Sequence, residues 1–164
     1  MTALLYISAA VFVAYIVTMC AMFGELTSIS ESYYLLERKH KGLGWIFTGW
    51  CWVEALTLLP YLMHVCPENM KFMAFWACVG LAFVGVAPQT KAIKMEKTVH
   101  FVGATMSGGL SVLIIFLMGY APCPIIAIII ATILMVYREK KWLLWLEIAG
   151  FVSTYTALII NNLK

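Results

Sequence analysis

The sequence predicts an all-α polytopic membrane protein, a bundle of six transmembrane helices forming one integral membrane domain over residues 1–164. Three observations carry this. Of 164 residues 63% are hydrophobic and only 12% charged, about half the charged share of a soluble domain. The apolar residues fall in long runs of the length that crosses a bilayer. The basic residues collect in every second connection between those runs, the bias expected of cytoplasmic loops.

Residues 2–24 are the first run. No basic stretch precedes it and no small-residue cleavage site follows, so it reads as a retained span and not as a signal peptide. Residues 25–42 are polar. Thr27 or Ser28 can cap a short helix with Glu31 in the reciprocal position. Tyr33 and Tyr34 then sit at the membrane surface, followed by Arg38, Lys39, His40 and Lys41. The second span, 43–64, holds Glu54 near its middle and Pro60, a bend, near its outer end. Residues 72–88 form a third span rich in Ala and Gly.

The fourth span, 99–120, is opened by Glu96 and His100, four residues apart and so on one helix face. That face continues through Gly103, Ala104, Ser107, Gly108 and Ser111, small residues that let another helix approach closely. Residues 121–124, Ala-Pro-Cys-Pro, read as a tight turn that makes the fourth and fifth spans antiparallel neighbours. The fifth span, 122–137, is apolar on every face and reads as lipid-facing. The sixth, 142–161, carries Glu147, Gly150, Thr154, Ala157 and Asn161 in one stripe.

Nine of the eleven Lys and Arg residues lie on the connections after the first, third and fifth spans; only Lys71 and Lys164 lie on the other side. This predicts a protein of the cell (inner) membrane with both termini outside and the basic loops in the cytoplasm. Glu96 and His100 then lie at the cytoplasmic mouth, Glu147 about 8 Å inside it, and Glu54 near the midplane. Charged groups in a span usually face the bundle and pair. One polar cavity open to the cytoplasm is therefore expected, lined by Glu54, Glu96, His100 and Glu147, with Ser28, Ser30 and Glu31 on the loop that folds over it. Each of these groups also has a purely structural reading as a cap, an interfacial charge or a bond between helices.

The expected role is binding or passing a proton, a cation or a small polar ligand, with His100 titrating near neutral pH. The first alternative is a membrane partner subunit, or an effector with no site of its own that acts as a homo-oligomer, assembled through the small-residue faces of the third and fourth spans. The second is a membrane-embedded metal-dependent hydrolase. A catalytic zinc site commonly takes three protein ligands, and membrane hydrolases of the alkaline ceramidase and adiponectin-receptor type use several His and an Asp. This chain has no Asp and one suitably placed His, so no metal site is assigned. No cofactor motif is present, and the small positive charge spread over loops does not suggest nucleic acid; the lipid bilayer is the expected partner. The five Cys are scattered, and a Cys66–Cys123 bridge at the outer surface is compatible with their positions without being demanded by spacing.

Two resemblances accompany this reading. Ser28-x-Ser30-x-x-Tyr33-Tyr34, Pro67-Glu68-Asn69 and Glu96-x-x-x-His100 together resemble a group of small multi-pass bacterial membrane proteins that brings no function to transfer. Pro88-Gln89 followed by Lys91, Lys94, Lys97 and Thr98 looks like the PQ-loop of sugar and amino-acid carriers, where the dipeptide lets a helix flex. Here it ends the third span and has no second copy.

Overall fold

The computed structural model describes residues 1–86, 94–137 and 141–164, apart from the side chains of Lys94 and Glu96. The described chain is helical, with no strand. Its helices are α1 (Thr2–Phe23), α2 (Glu31–Lys39), α3 (Trp45–Val65), α4 (Lys71–Val86), α5 (Lys94–Ile115), α6 (Pro122–Tyr137) and α7 (Trp142–Asn162). Five helical stretches are long and apolar enough to cross a membrane: α1, α3, Glu68–Val86, Lys97–Tyr120 and α7. Five of the six expected spans overlap these stretches, and the remaining one, 122–137, is the shorter apolar helix α6. α5, however, begins a turn and a half before residue 99, which places Lys97 and Thr98 on the helix.

The five long stretches pack in a ring, α1 on α3, α3 on α4, α4 on α5, α5 on α7, and α7 back on α1. Paired residues set their directions. Ser8 meets Glu54, and Phe12 and Tyr15 meet Trp50, so α1 and α3 are antiparallel. The Thr48 hydroxyl donates to the Gly85 carbonyl (2.8 Å), aligning α3 against α4. Gly80 and Gly103 touch backbone to backbone between α4 and α5. Thr2 donates to Asn162 at one end of the bundle, and Leu144 N–H donates to the Thr27 carbonyl at the other. The interior is a continuous apolar core. The exterior is greasy as well: Val17, Leu56, Phe83 and Ile130 are all exposed. A soluble monomer rarely shows so much contiguous apolar surface, whereas a bilayer solvates it.

The end of α5 and the start of α6 differ from expectation. The chain kinks within Phe116–Tyr120, where Gly119 takes φ +87°, in the left-handed region that glycine adopts without strain. The reversal therefore falls at residues 119–121. Pro122 and Pro124 lie in the first turn of α6, where a missing N–H costs nothing. α6 then lies along α7 and touches α5 only sparsely, so these two helices are joined closely but are not the packed neighbours expected. The isoleucines of α6 do face outward. The small-residue face of α5 is used only in part: Gly103 is buried against α4, while Gly108 opens onto free space. The five cysteines are free thiols, Cys66 and Cys123 included.

The connection between α1 and α3 is built rather than loose. The Glu37 carboxylate accepts the N–H groups of Gly42 (2.9 Å) and Gly44 (3.1 Å), closing the turn in which Gly42 takes φ +93°. Those two backbone bonds, with Lys41 nearby, hold the Glu37 carboxyl below the usual carboxylate range. A depressed value in the folded state means that its contribution is present above the ordinary glutamate value and is lost as pH falls through the lowered one. Amide exchange at Gly42 and Gly44, corrected for its intrinsic pH dependence, is therefore expected to lose protection on acidification. Glu37→Gln should remove that pH dependence.

Candidate functional site

The polar groups of the interior lie in layers along the junction of α1, α3 and α7. On α7, Glu147, Phe151 and Tyr155 follow at intervals of four residues, each about 6 Å deeper than the last. On α1, Ser8, Phe12 and Tyr15 share one face, and on α3 Trp50 and Glu54 are one turn apart.

The deepest layer is a triangle of oxygens. Ser8 Oγ lies 2.6 Å from Glu54 Oε2, Tyr155 Oη 2.5 Å from the same oxygen, and Ser8 Oγ 2.7 Å from Tyr155 Oη. Each of the three helices contributes one corner. Glu54 and Ser8 are completely buried, Tyr155 nearly so. The second carboxyl oxygen, Oε1, makes no close hydrogen bond; the donor directed to the carboxyl on that side is the Trp50 indole N–H. No basic side chain pairs with Glu54 among the described residues.

Above this, toward the basic loops, lies an aromatic layer. Tyr15 stacks on Trp50 (centroids 4.5 Å apart) and Phe12 on Phe151 (4.7 Å). Cys51, fully buried, is within electrostatic reach of both Glu54 and Glu147.

The third layer closes the bundle. Residues 24–30 cross its end as a strap, with Leu26 and Ile29 buried as plugs. Ile29 N–H donates to Glu147 Oε2 (2.6 Å). Ser32 Oγ donates to the Ile29 carbonyl (2.6 Å), and since its one hydrogen is committed there, the Tyr15 hydroxyl donates to Ser32 (2.6 Å). Ile29 is thus held through both its N–H and its carbonyl. An ion pair between Lys141 and Glu25 (2.5 Å) fixes the strap at the start of α7.

The expected site residues therefore separate. Glu54 on α3 and Glu147 on α7 lie in different layers of the junction, and each has its own partners. Ser28 accepts from Glu31 N–H (3.2 Å) and meets Ser30 (3.2 Å); the Glu31 carboxylate accepts from the backbone and hydroxyl of Thr27 (2.6 and 2.8 Å). These reciprocal bonds tie Thr27, Ser28 and Glu31 together ahead of α2, but they are not the helix cap expected, since the N-cap of α2 is Ser30 and its side chain makes no capping bond. These three residues are spent on shaping the strap. His100 is buried on α5, its ring edge-on to Phe101, and belongs to none of the three layers as described. The Glu96 side chain, Pro88-Gln89, Lys91 and residues 138–140 lie outside the described residues, and the Glu96–His100 pairing with them. Among the described residues no three His, Cys, Asp or Glu side chains gather as metal ligands would.

Sequence reasoning missed Ser8, Tyr155, Tyr15 and Ser32. The signal for Ser8 was faint: it is an isolated hydroxyl in an apolar run. The Glu147, Phe151, Tyr155 spacing is open to view, but the inward stripe read from the sequence runs from Glu147 through Gly150, Thr154, Ala157 and Asn161 and leaves out both aromatic residues. Comparison with family models, curated proteins and solved structures returns no match for the chain.

Proposed function

We propose that the chain is a six-crossing protein of the cell membrane, both termini outside and the basic loops cytoplasmic, whose interior binds a proton or a small polar species and passes it between the two faces. The sixth crossing is α6. It starts beside Tyr120, which donates to Asn161 at the end of α7, and finishes at residue 137, four residues before Lys141 at the opposite end of the bundle. Sixteen helical residues rise about 24 Å, most of a hydrocarbon core of about 30 Å. The nine-to-two distribution of basic residues supports the orientation.

The observation that carries the function is Glu54: a fully buried carboxyl, held by hydroxyls from two other helices, with no counter-ion. Such a group in a span is costly and is a functional candidate by default. Glu147, half-buried beneath the strap, is the corresponding group on the cytoplasmic side. The test uses the protein in liposomes with a pH-sensitive dye inside and a potassium ionophore to balance charge. Acidifying the outside should acidify the lumen faster than in protein-free vesicles, and Glu54→Gln should return the rate to that background. Equal rates for wild type and variant would remove Glu54 from transport.

A further inference from the structure

We propose that the resident ligand of the Glu54 layer is a single proton carried on Glu54 Oε2, which completes a closed ring of hydrogen bonds joining α1, α3 and α7. The inference rests on reading Glu54 as the binding group, and it names what that group holds. It comes from counting hydrogens. Three oxygens, Ser8 Oγ, Tyr155 Oη and Glu54 Oε2, stand pairwise at 2.6, 2.7 and 2.5 Å. Three such contacts need three hydrogens. The two hydroxyls bring only two, so with an ionised carboxylate one edge would set lone pair against lone pair. A proton on Oε2 supplies the third. Glu54 then donates to Ser8, Ser8 to Tyr155, and Tyr155 back to Glu54, so that each oxygen gives one bond and accepts one, in the cyclic sense in which hydrogen bonds reinforce one another.

The other half of the carboxyl agrees. Oε1 is buried with no close hydrogen bond, the neutral Trp50 indole N–H being the donor beside it. As the carbonyl oxygen of a neutral acid it needs no more than that neutral donor; as half of an anion it would be buried charge with no cation to oppose it, a far less favourable state. The titratable and polar groups facing the layer are Ser8 and Tyr15 from α1, Trp50 and Cys51 from α3, Tyr155 and Glu147 from α7, and Cys78 from α4, which is within reach of Tyr155. None is a cation. Loss of the proton leaves two hydrogens for three edges, and the ring opens at the point where the three helices meet. Binding the proton and locking the junction are the same event.

Infrared spectroscopy of the full chain in lipid bilayers tests this. At neutral pH the wild type is expected to show the carbonyl stretch of a protonated carboxylic acid, shifted in heavy water and absent from Glu54→Gln. Tyr155→Phe and Ser8→Ala each open the ring and should move that band, which keeps the test decisive if Glu54→Gln does not fold. A spectrum with no such band, or one that none of the three substitutions alters, overturns the proposal. The flux assay separates this from the transport reading. An assigned Glu54 acid band with flux unaffected by Glu54→Gln supports the proton and removes transport; Glu54-dependent flux without the band does the reverse.

Discussion

Gly80→Val is expected to unfold the bundle or to lower its stability by about 3 kcal/mol, at the upper end of what overpacking costs. A β-carbon at position 80 would lie 2.6 Å from the Gly103 carbonyl oxygen and 2.8 Å from the Ser107 nitrogen. One at position 103 would lie 2.7 Å from the Gly80 carbonyl oxygen. These neighbours are backbone atoms and cannot rotate aside, so α4 and α5 must separate along their length. In a membrane the loss is not made up elsewhere, because lipid tails are as apolar as the side chains and helices associate by close packing. Gly80→Ala and Gly103→Ala should show the same direction with smaller loss. Gly108→Ala is the control: its β-carbon meets nothing within 4 Å, and the change should be neutral or slightly stabilising through helix propensity alone. Unfolding midpoints in mixed detergent micelles measure all four. A Gly80→Val protein as stable as wild type would contradict the contact.

That contrast between Gly103 and Gly108 shows where legibility ends. Long apolar runs announce spans, because a bilayer demands a length of apolar residues whatever they pack against. Helix faces are harder. In water an inward face is apolar and an outward one polar; here both are apolar, so α6, α7 and α1 carry little periodic signal. The small residues of α5 were read as one packing face, yet only the stretch around Gly103 meets a neighbour. The docking of α6 on α7 rather than α5 was hidden for the same reason. Polar residues in spans were legible as inward-facing, and Glu54 is buried as that argument requires. Their partners were not legible, because Ser8 and Tyr155 lie 46 and 101 residues away from Glu54 in the chain, and only the ring of helices brings them together. Convergence into one cavity was inferred from shared depth, but residues on facing helices meet only where their turns coincide. Trp50, Phe12 and Phe151 occupy the level between Glu54 and Glu147.

Glu147→Ala is expected to release the strap without unfolding the bundle. The carboxyl of Glu147 meets the N–H of Ile29, and a buried amide left without its acceptor costs about 1–3 kcal/mol. Ile29 is buried between that bond and the Ser32 hydroxyl on its carbonyl side. Losing one grip leaves Ser32, the apolar plugs Leu26 and Ile29, and the Lys141–Glu25 pair to hold the segment. The opening is therefore local, of the kind that hydrogen exchange resolves as a separate unit from the core. Amide exchange at Ile29 should accelerate by about tenfold or more, since each 1.4 kcal/mol is a factor of ten, while amides in the middle of α3 and α7 keep their protection. Glu147→Gln retains an acceptor oxygen and should accelerate exchange less. Lys141→Ala removes only a partly exposed ion pair, a contribution of about 0–1 kcal/mol, and should change it least. Equal exchange at Ile29 in Glu147→Ala and wild type would show that the buried plugs alone hold the strap, and Glu147 would then be free to serve the polar path instead of its cover.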